Sequence, residues 1–212
     1  MNFKLIFDYD GVLFNNKEAM NMVSRRSVEF VGKKLKISYP EACRINRIQY
    51  KVHGHTVKYL QSNNIDVSMQ EFNDYVYGEL DWDELGNNIT ANDVIRLIDL
   101  TNLNNFQNQK SILFTNAPEV WVENTLNLMG GDTSMFFDEV YCAESIFELK
   151  PNLCLYDSIE KKHPNDKLLF IDDGLLNVSN LGNRWATRHF TDSDTVYEAG
   201  IQLIQSGANC YL

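Results

Sequence analysis

Nothing in this sequence approaches the ~20 consecutive apolar residues of a membrane-spanning helix, so no membrane span is expected in the 212 residues. Cysteine is scarce: Cys43, Cys142, Cys154 and Cys210 show neither C-x-x-C spacing nor histidines at zinc spacing. That sets aside a disulfide framework and a structural zinc site and suits reduced thiols in a cytosolic protein. Basic residues are outnumbered, 19 Lys and Arg against 29 Asp and Glu, for a formal charge of −10. A chain this acidic lacks the basic face that nucleic-acid polymers or anionic membranes require. A small phosphorylated metabolite stays possible as a partner, because one metal ion and one lysine can reverse the local field of a site. The opening Met-Asn-Phe-Lys-Leu-Ile-Phe meets an acid at Asp8. That is too short and too acidic for a secretory signal, and a cytoplasmic protein is expected. There is no internal repeat and no low-complexity tract.

What is present is a rhythm of short apolar runs: Phe3 to Phe7, Ser111 to Phe114, a weaker Glu139 to Cys142, Lys167 to Ile171, and Trp185 to His189. Unbroken rather than alternating, they suit strands buried on both faces of a parallel sheet. Helical segments fall between them. Asn116, Pro118 and Glu119 read as an N-cap and helix start, and Gly130-Gly131 as its stop. Thr90-x-x-Asp93 opens another helix, while the Asn-rich stretch Thr101 to Asn108 reads as a loop. This alternation predicts an α/β domain with crossovers. Residues 16–86 break the rhythm. They hold no convincing strand, carry two apparent capping boxes at Ser38-x-x-Glu41 and Ser68-x-x-Glu71, and are expected to form a helical module. Residues 1–15 and 87–212 then make up the sheet domain.

Polar residues gather where the runs end. Asp8, Asp10 and Gly11 follow the first run, Thr115 and Asn116 the second, Lys150 the third after a short loop, and Asp172 and Asp173 the fourth. In an open parallel sheet, ligands bind at the carboxyl ends of the strands, so residues far apart in sequence are expected to meet in one crevice. Each pair alone has a plainer explanation as a turn or a helix cap. Two adjacent buried carboxylates are costly without a cation, however, and lean toward a metal. A response-regulator receiver would place its paired acids after the first strand and its phosphoacceptor after the third. Here the paired acids come last, which sets that arrangement aside.

The order D-x-D-G, T-N, K-P, D-D resembles the haloacid dehalogenase-like (HAD) hydrolase superfamily. It is carried by Phe7-Asp8-Tyr9-Asp10-Gly11-Val12-Leu13, Leu113-Phe114-Thr115-Asn116-Ala117, Leu149-Lys150-Pro151 and Phe170-Ile171-Asp172-Asp173-Gly174. The resemblance implies a Rossmann-like, doubly wound parallel sheet with an inserted helical cap closing over the site. It implies a Mg²⁺-dependent phosphatase in which Asp8 is the nucleophile and forms an aspartyl-phosphate, and Asp10 is the general acid and base. Mg²⁺ would be held by Asp8, the Asp10 carbonyl, Asp172 and Asp173. Gly11, Thr115, Asn116 and Lys150 would hold the phosphate. The carboxyl at position 10 favours phosphoryl transfer over dehalogenation.

A finer resemblance is to the pyrimidine 5′-nucleotidase branch. It runs through Tyr50, His53-Gly54-His55-Thr56 and Leu60, then Glu71-Phe72, Asp81-Trp82 and Leu85, then Asn177, Leu181-Gly182 and Trp185. His53 stands where that branch often has Tyr, and Gly174 where it often has Ser. This implies a nucleoside 5′-monophosphate substrate, with Tyr50, His53, His55 and Tyr59 as cap contacts, while Asn177 holds the acidic loop in shape. Packing or solvent exposure is the plainer role for those four cap residues. A sugar-phosphate phosphatase or phosphomutase keeps the same core motifs, and a non-catalytic regulatory or binding module is the alternative of another class. A monomer and a homodimer are both compatible with the sequence.

Overall fold

The computed structural model describes residues 2–145, 148–179, 181 and 185–209. Gly182 and Cys210 therefore lie outside the described residues. In chain order the elements are β1 (Asn2–Phe7), α1 (Lys17–Leu35), α2 (Tyr39–His53), α3 (Thr56–Ser62), α4 (Met69–Val76) and α5 (Trp82–Asn87). Next come α6 (Ala91–Gln107), β2 (Ser111–Phe114), α7 (Glu119–Leu128), α8 (Thr133–Phe136), β3 (Phe137–Tyr141) and α9 (Leu153–Lys162). The chain closes with β4 (Asp166–Asp172), α10 (Leu175–Ser179), β5 (Ala186–His189) and α11 (Val196–Asn209). It divides into two compact units, Met1–Asn15 with Ile89–Leu212, and Asn16–Asn88.

In the first unit the strands form one parallel sheet in the order β3-β2-β1-β4-β5. This is a Rossmann-like α/β fold. The chain winds outward from β1 through β2 to β3, then returns to the far side of β1 to lay down β4. That reversal opens the switch-point crevice between the carboxyl ends of β1 and β4. Central strands are apolar on both faces because both faces are covered. Ile6, Phe114 and Phe170 pack with Leu155, Tyr156 and Ile159 of α9 and Val178 of α10. The alternate residue Leu169 faces the other way, toward Gly207 of α11. A Cβ on Gly200 of α11 would come within 2.6 Å of Leu103, so only hydrogen lets α11 approach α6 this closely. The edge strands β3 and β5 are the polar ones, as strands with one neighbour tend to be. This accounts for the weaker apolar run at β3, which begins at Phe137 rather than Glu139.

The Asn-rich stretch expected as a loop is the last two turns of α6. Leu97, Leu100 and Leu103 bury one face, and tertiary packing overrides the poor helix propensity of Asn. Asn104 is buried, donating to the Phe136 carbonyl at 2.8 Å and accepting from the Ser111 hydroxyl at 2.7 Å. Asn108 ends the helix in the left-handed region at φ 54°. The helix opens at Thr90 as expected, where Thr90 and Asp93 form a capping box.

The second unit is helical. Val28 and Val31 of α1 pack on Ala42 of α2, and Phe30 meets Phe72 of α4 edge-on at 5.3 Å. Ser68 caps α4 by accepting from the Glu71 N–H at 3.0 Å. Ser38 stands at the N-cap of α2 but makes no side-chain cap, contrary to expectation, and Pro40 at the second helical position has no N–H to offer it. At the other end of the unit's sequence, the Asn16 amide donates to the Asn88 carbonyl at 2.7 Å while its oxygen caps α1. Among the described residues, no helix is long and apolar enough to cross a membrane.

Candidate active site

Asp8 immediately follows β1, and its N–H still pairs with the Ile171 carbonyl at 2.9 Å, as if the strand ran one residue further. Asp172 is the last residue of β4. Because β1 and β4 are adjacent and in register, the two carboxylates emerge side by side. Lys150 lies between them: its Nζ is 2.8 Å from Asp8 Oδ1 and 2.6 Å from Asp172 Oδ2. All three side chains are buried. The ammonium also sits over the rings of Phe114 and Phe170, at 5.4 and 5.5 Å, a favourable site for a desolvated cation.

Local folding dictates these positions. After Asp8 the chain makes a tight turn in which the Tyr9 carbonyl accepts from the Leu13 and Phe14 N–H groups. Gly11 takes φ 82°, and a Cβ there would lie 2.3 Å from Asp173 Oδ2, so both conformation and space demand glycine. Asn116 and Lys150 exchange a reciprocal pair of bonds: the Lys150 N–H donates to Asn116 Oδ1 at 2.8 Å, and Asn116 Nδ2 donates to the Lys150 carbonyl at 3.1 Å. Thr115 is buried at the end of β2, its Oγ1 accepting from the Ala117 N–H at 3.1 Å. Asp172 Oδ1 accepts from the Gly174 N–H at 2.7 Å and from Asn177 Nδ2 at 2.8 Å, so Asn177 does brace the acidic loop.

Two expectations change here. The Gly11 N–H is consumed by the Phe14 carbonyl at 2.8 Å, so glycine serves the turn rather than a phosphate. Asn116 is not the N-cap of α7, a position taken by Pro118; its side chain anchors the loop that carries Lys150.

Three carboxylates share this small volume. Asp8, Asp172 and Asp173 each offer an oxygen, and these oxygens lie within 4.8 Å of one another. Burial, followed by the charge of Asp172, pushes the Asp8 carboxyl well above its usual range despite Lys150. Asp173 is raised for the same two reasons. Burial alone would lower Lys150, but Asp172 and Asp8 together hold its ammonium well above the usual value. Keeping all three acids ionised takes more positive charge than one ammonium, and hard oxygens at this spacing fit a divalent cation such as Mg²⁺. Asp10 stands beside the cluster. Burial raises its carboxyl to about 6, against the opposing bond from Trp121.

Two residues absent from the sequence reading support the first turn. Trp121 Nε1 donates to Asp10 Oδ1 at 2.9 Å. Arg96 donates to the Gly11 carbonyl at 3.1 Å and to the Val12 carbonyl. No sequence motif marks either; only the fold brings them to the turn.

The four residues expected as cap contacts lie in the second unit and divide. His55 is buried: its Nδ1 accepts from the Val57 N–H at 3.1 Å to cap α3, and its ring packs on Phe72 at 5.1 Å. Burial lowers it to about 4, so it is neutral near pH 7. Its observed contacts are those of a helix cap and a packed ring. His53 and Tyr59 are half-buried with rings 5.8 Å apart, and Tyr50 is exposed. A cavity of about 820 Å³ in the same unit is lined by Phe30, Lys34, Glu71 and Tyr75 among others, and by none of these four. Lys34 there is already paired with Glu71 at 2.6 Å.

No protein-family model matches the chain, and no curated protein matches it. Solved structures do. A β-phosphoglucomutase from Clostridium difficile superposes with a TM-score of 0.61 over 100% of this chain and 99% of that one, at 20% identity. A HAD-family enzyme from Bacteroides thetaiotaomicron gives 0.54 over 91% and 95%, at 15% identity. CbbY from Rhodobacter sphaeroides, in complex with phosphate, gives 0.53 over 95% and 100%, at 16% identity. At these identities the likeness is one of fold.

Proposed function

We propose that the protein is a HAD-type, Mg²⁺-dependent phosphohydrolase that acts on a small phosphomonoester through an aspartyl-phosphate on Asp8. The observation that carries this reading is the convergence of Asp8 and Asp172 on one buried Lys150 nitrogen at the sheet's switch point, with Asp173 alongside.

Each residue then has a task. The Asp8 carboxylate attacks phosphorus, dividing one difficult displacement into two easier ones. Asp10 gives its proton to the leaving alkoxide, then takes one from the water that releases phosphate. A carboxyl poised near 6 is suited to both. Lys150 positions Asp8 and offsets charge on the transferring group. The Thr115 hydroxyl already accepts from Ala117, so its own proton is free to donate to a phosphate oxygen. The backbone N–H of Asn116 is the second donor on that side. Asp8, Asp172, Asp173 and the Asp10 carbonyl would hold Mg²⁺, whose two charges cancel the repulsion between an anionic substrate and an anionic nucleophile.

For substrate, a nucleoside 5′-monophosphate follows from the sequence around Tyr50 to Leu60, with Tyr50, His53 and Tyr59 as the residues that distinguish substrates. A second reading, a sugar-phosphate phosphatase or mutase, is favoured by the full-length fold match to a β-phosphoglucomutase. One assay tests both. Phosphate release, and interconversion of hexose phosphates, are followed over UMP, CMP, AMP, hexose phosphates and p-nitrophenyl phosphate with Mg²⁺. Wild type is active on at least one ester, and activity falls below about 0.1% in Asp8→Asn and with chelator. Activity that persists in Asp8→Asn removes the aspartyl-phosphate mechanism, and the ranking of esters chooses the substrate class.

A further inference from the structure

Trp121 is fully buried on α7, with its ring edge-on to Phe14 at 5.5 Å and its Nε1–H on Asp10 Oδ1 at 2.9 Å. One turn further along α7, the Thr125 hydroxyl meets the Tyr9 hydroxyl at 2.6 Å and is itself bonded to the Trp121 carbonyl at 2.6 Å. Phe14 stacks on Tyr9 at 5.9 Å. The helix that follows β2 therefore grips the turn after β1 at two consecutive residues, Tyr9 and Asp10. An indole N–H donates and never accepts, so Oδ1 is fixed as an acceptor. Among the described residues, Asp10 Oδ2 accepts no hydrogen bond.

We infer that Trp121 is the positioning residue for the general acid: it pins Asp10 Oδ1 so that the transferable proton is carried on Oδ2. The inference rests on the phosphohydrolase reading above. In the first half-reaction the Asp8 oxygen–phosphorus bond forms and the phosphorus–oxygen ester bond breaks. The electron pair stays on the leaving oxygen, which takes the proton from Asp10 Oδ2. An alkoxide needs that proton. A p-nitrophenolate, stable as the anion, does not. Asp10 also acts as base in hydrolysis of the phospho-enzyme, a step both esters share. The comparison is therefore made in kcat/KM, which reports only the steps up to formation of the phospho-enzyme. There a lost positioning residue is felt by one kind of substrate and spared by the other, whereas general damage to the fold is felt by both.

The experiment compares wild type, Trp121→Phe and Val122→Ala on the best alkyl phosphate and on p-nitrophenyl phosphate, with Mg²⁺. Val122, also fully buried on α7, controls for packing loss. For Trp121→Phe, kcat/KM on the alkyl ester falls about 10- to 100-fold, within the range that acid–base catalysis contributes. Its kcat/KM on the aryl ester changes less than about threefold. Val122→Ala shows no such split. Equal losses of kcat/KM on both esters in Trp121→Phe overturn the inference and leave the phosphohydrolase reading intact, while an inert wild type overturns that reading first. If Trp121→Phe does not fold, NMR of the three tryptophan indole protons is the second measurement: the Trp121 resonance shifts in Asp10→Ala, and an unmoved resonance overturns the inference.

Discussion

Lys150 brings one nitrogen within 2.8 Å of two buried carboxylates. Lys150→Met keeps the length of the side chain and removes the charge, leaving Asp8 and Asp172 buried against each other. Breaking a buried ion pair in this way costs about 3–5 kcal/mol. Urea unfolding should record a loss of that size, together with abolished phosphate release. The acids, the lysine and Thr115 were legible in the sequence because each lies at a strand end or, for Lys150, on the loop that follows one, and strand ends of a parallel sheet share an edge. Trp121 and Arg96 were not, because they meet the first turn from 111 and 85 positions away and a lone Trp or Arg on a helix has many possible partners. Gly11 was found for the wrong reason: its amide was assigned to a phosphate, and the structure uses it to hold the turn that carries Asp10. The Asn116 side chain, read as a helix cap, instead holds the loop that carries Lys150.

At the scale of elements, α3 starts on a histidine, and this makes its anchoring sensitive to acid. His55 is held at about 4 when folded against about 6.5 when unfolded. Above the unfolded value it is neutral in both states and contributes nothing to pH dependence. As pH falls from 6.5 toward 4, the unfolded chain takes up a proton that the folded one refuses, and stability drops by up to about 3 kcal/mol. His55→Asn keeps an acceptor for the Val57 N–H and removes the titration. Between pH 7.5 and 4.5, wild type should lose more stability than His55→Asn in urea unfolding; parallel curves would count against this account. The same segment shows where sequence reading stops. Tyr and His on a short helix look alike whether they face a ligand or fill a core, and only the position of Phe72 decides for His55. The tail of α6 misled in the opposite sense. Asn favours loops locally, yet Asn104 buries its amide between Ser111 and Phe136, a pairing that local propensity does not encode.

Over the whole molecule the charge is −10, so divalent cations will gather around it without needing a site. Specific binding is separated from this atmosphere by thermal unfolding in Mg²⁺ against NaCl of equal ionic strength. At 100-fold over its dissociation constant, Mg²⁺ should stabilise wild type by about 2.7 kcal/mol, on the order of 5–10 °C in Tm. Asp172→Asn should lose most of that shift. A shift of equal size in NaCl or in Asp172→Asn would mean screening alone. The sheet and the interruption between its first two strands were both readable from hydrophobic rhythm, because fully covered parallel strands form unbroken apolar runs and an all-helical insertion does not. One bond in that insertion bears on how the chain folds. Asn16 donates to the carbonyl of Asn88, so the inserted unit begins and ends at nearly the same point. Ile6 must find Ile112 to pair β1 with β2, a long search for an open chain. Once the insertion has closed on itself, β1 and β2 are separated in effect by little more than α6, and the entropy of closing the remaining loop grows only with the logarithm of its length. Early folding of the inserted helices would therefore speed assembly of the sheet rather than obstruct it.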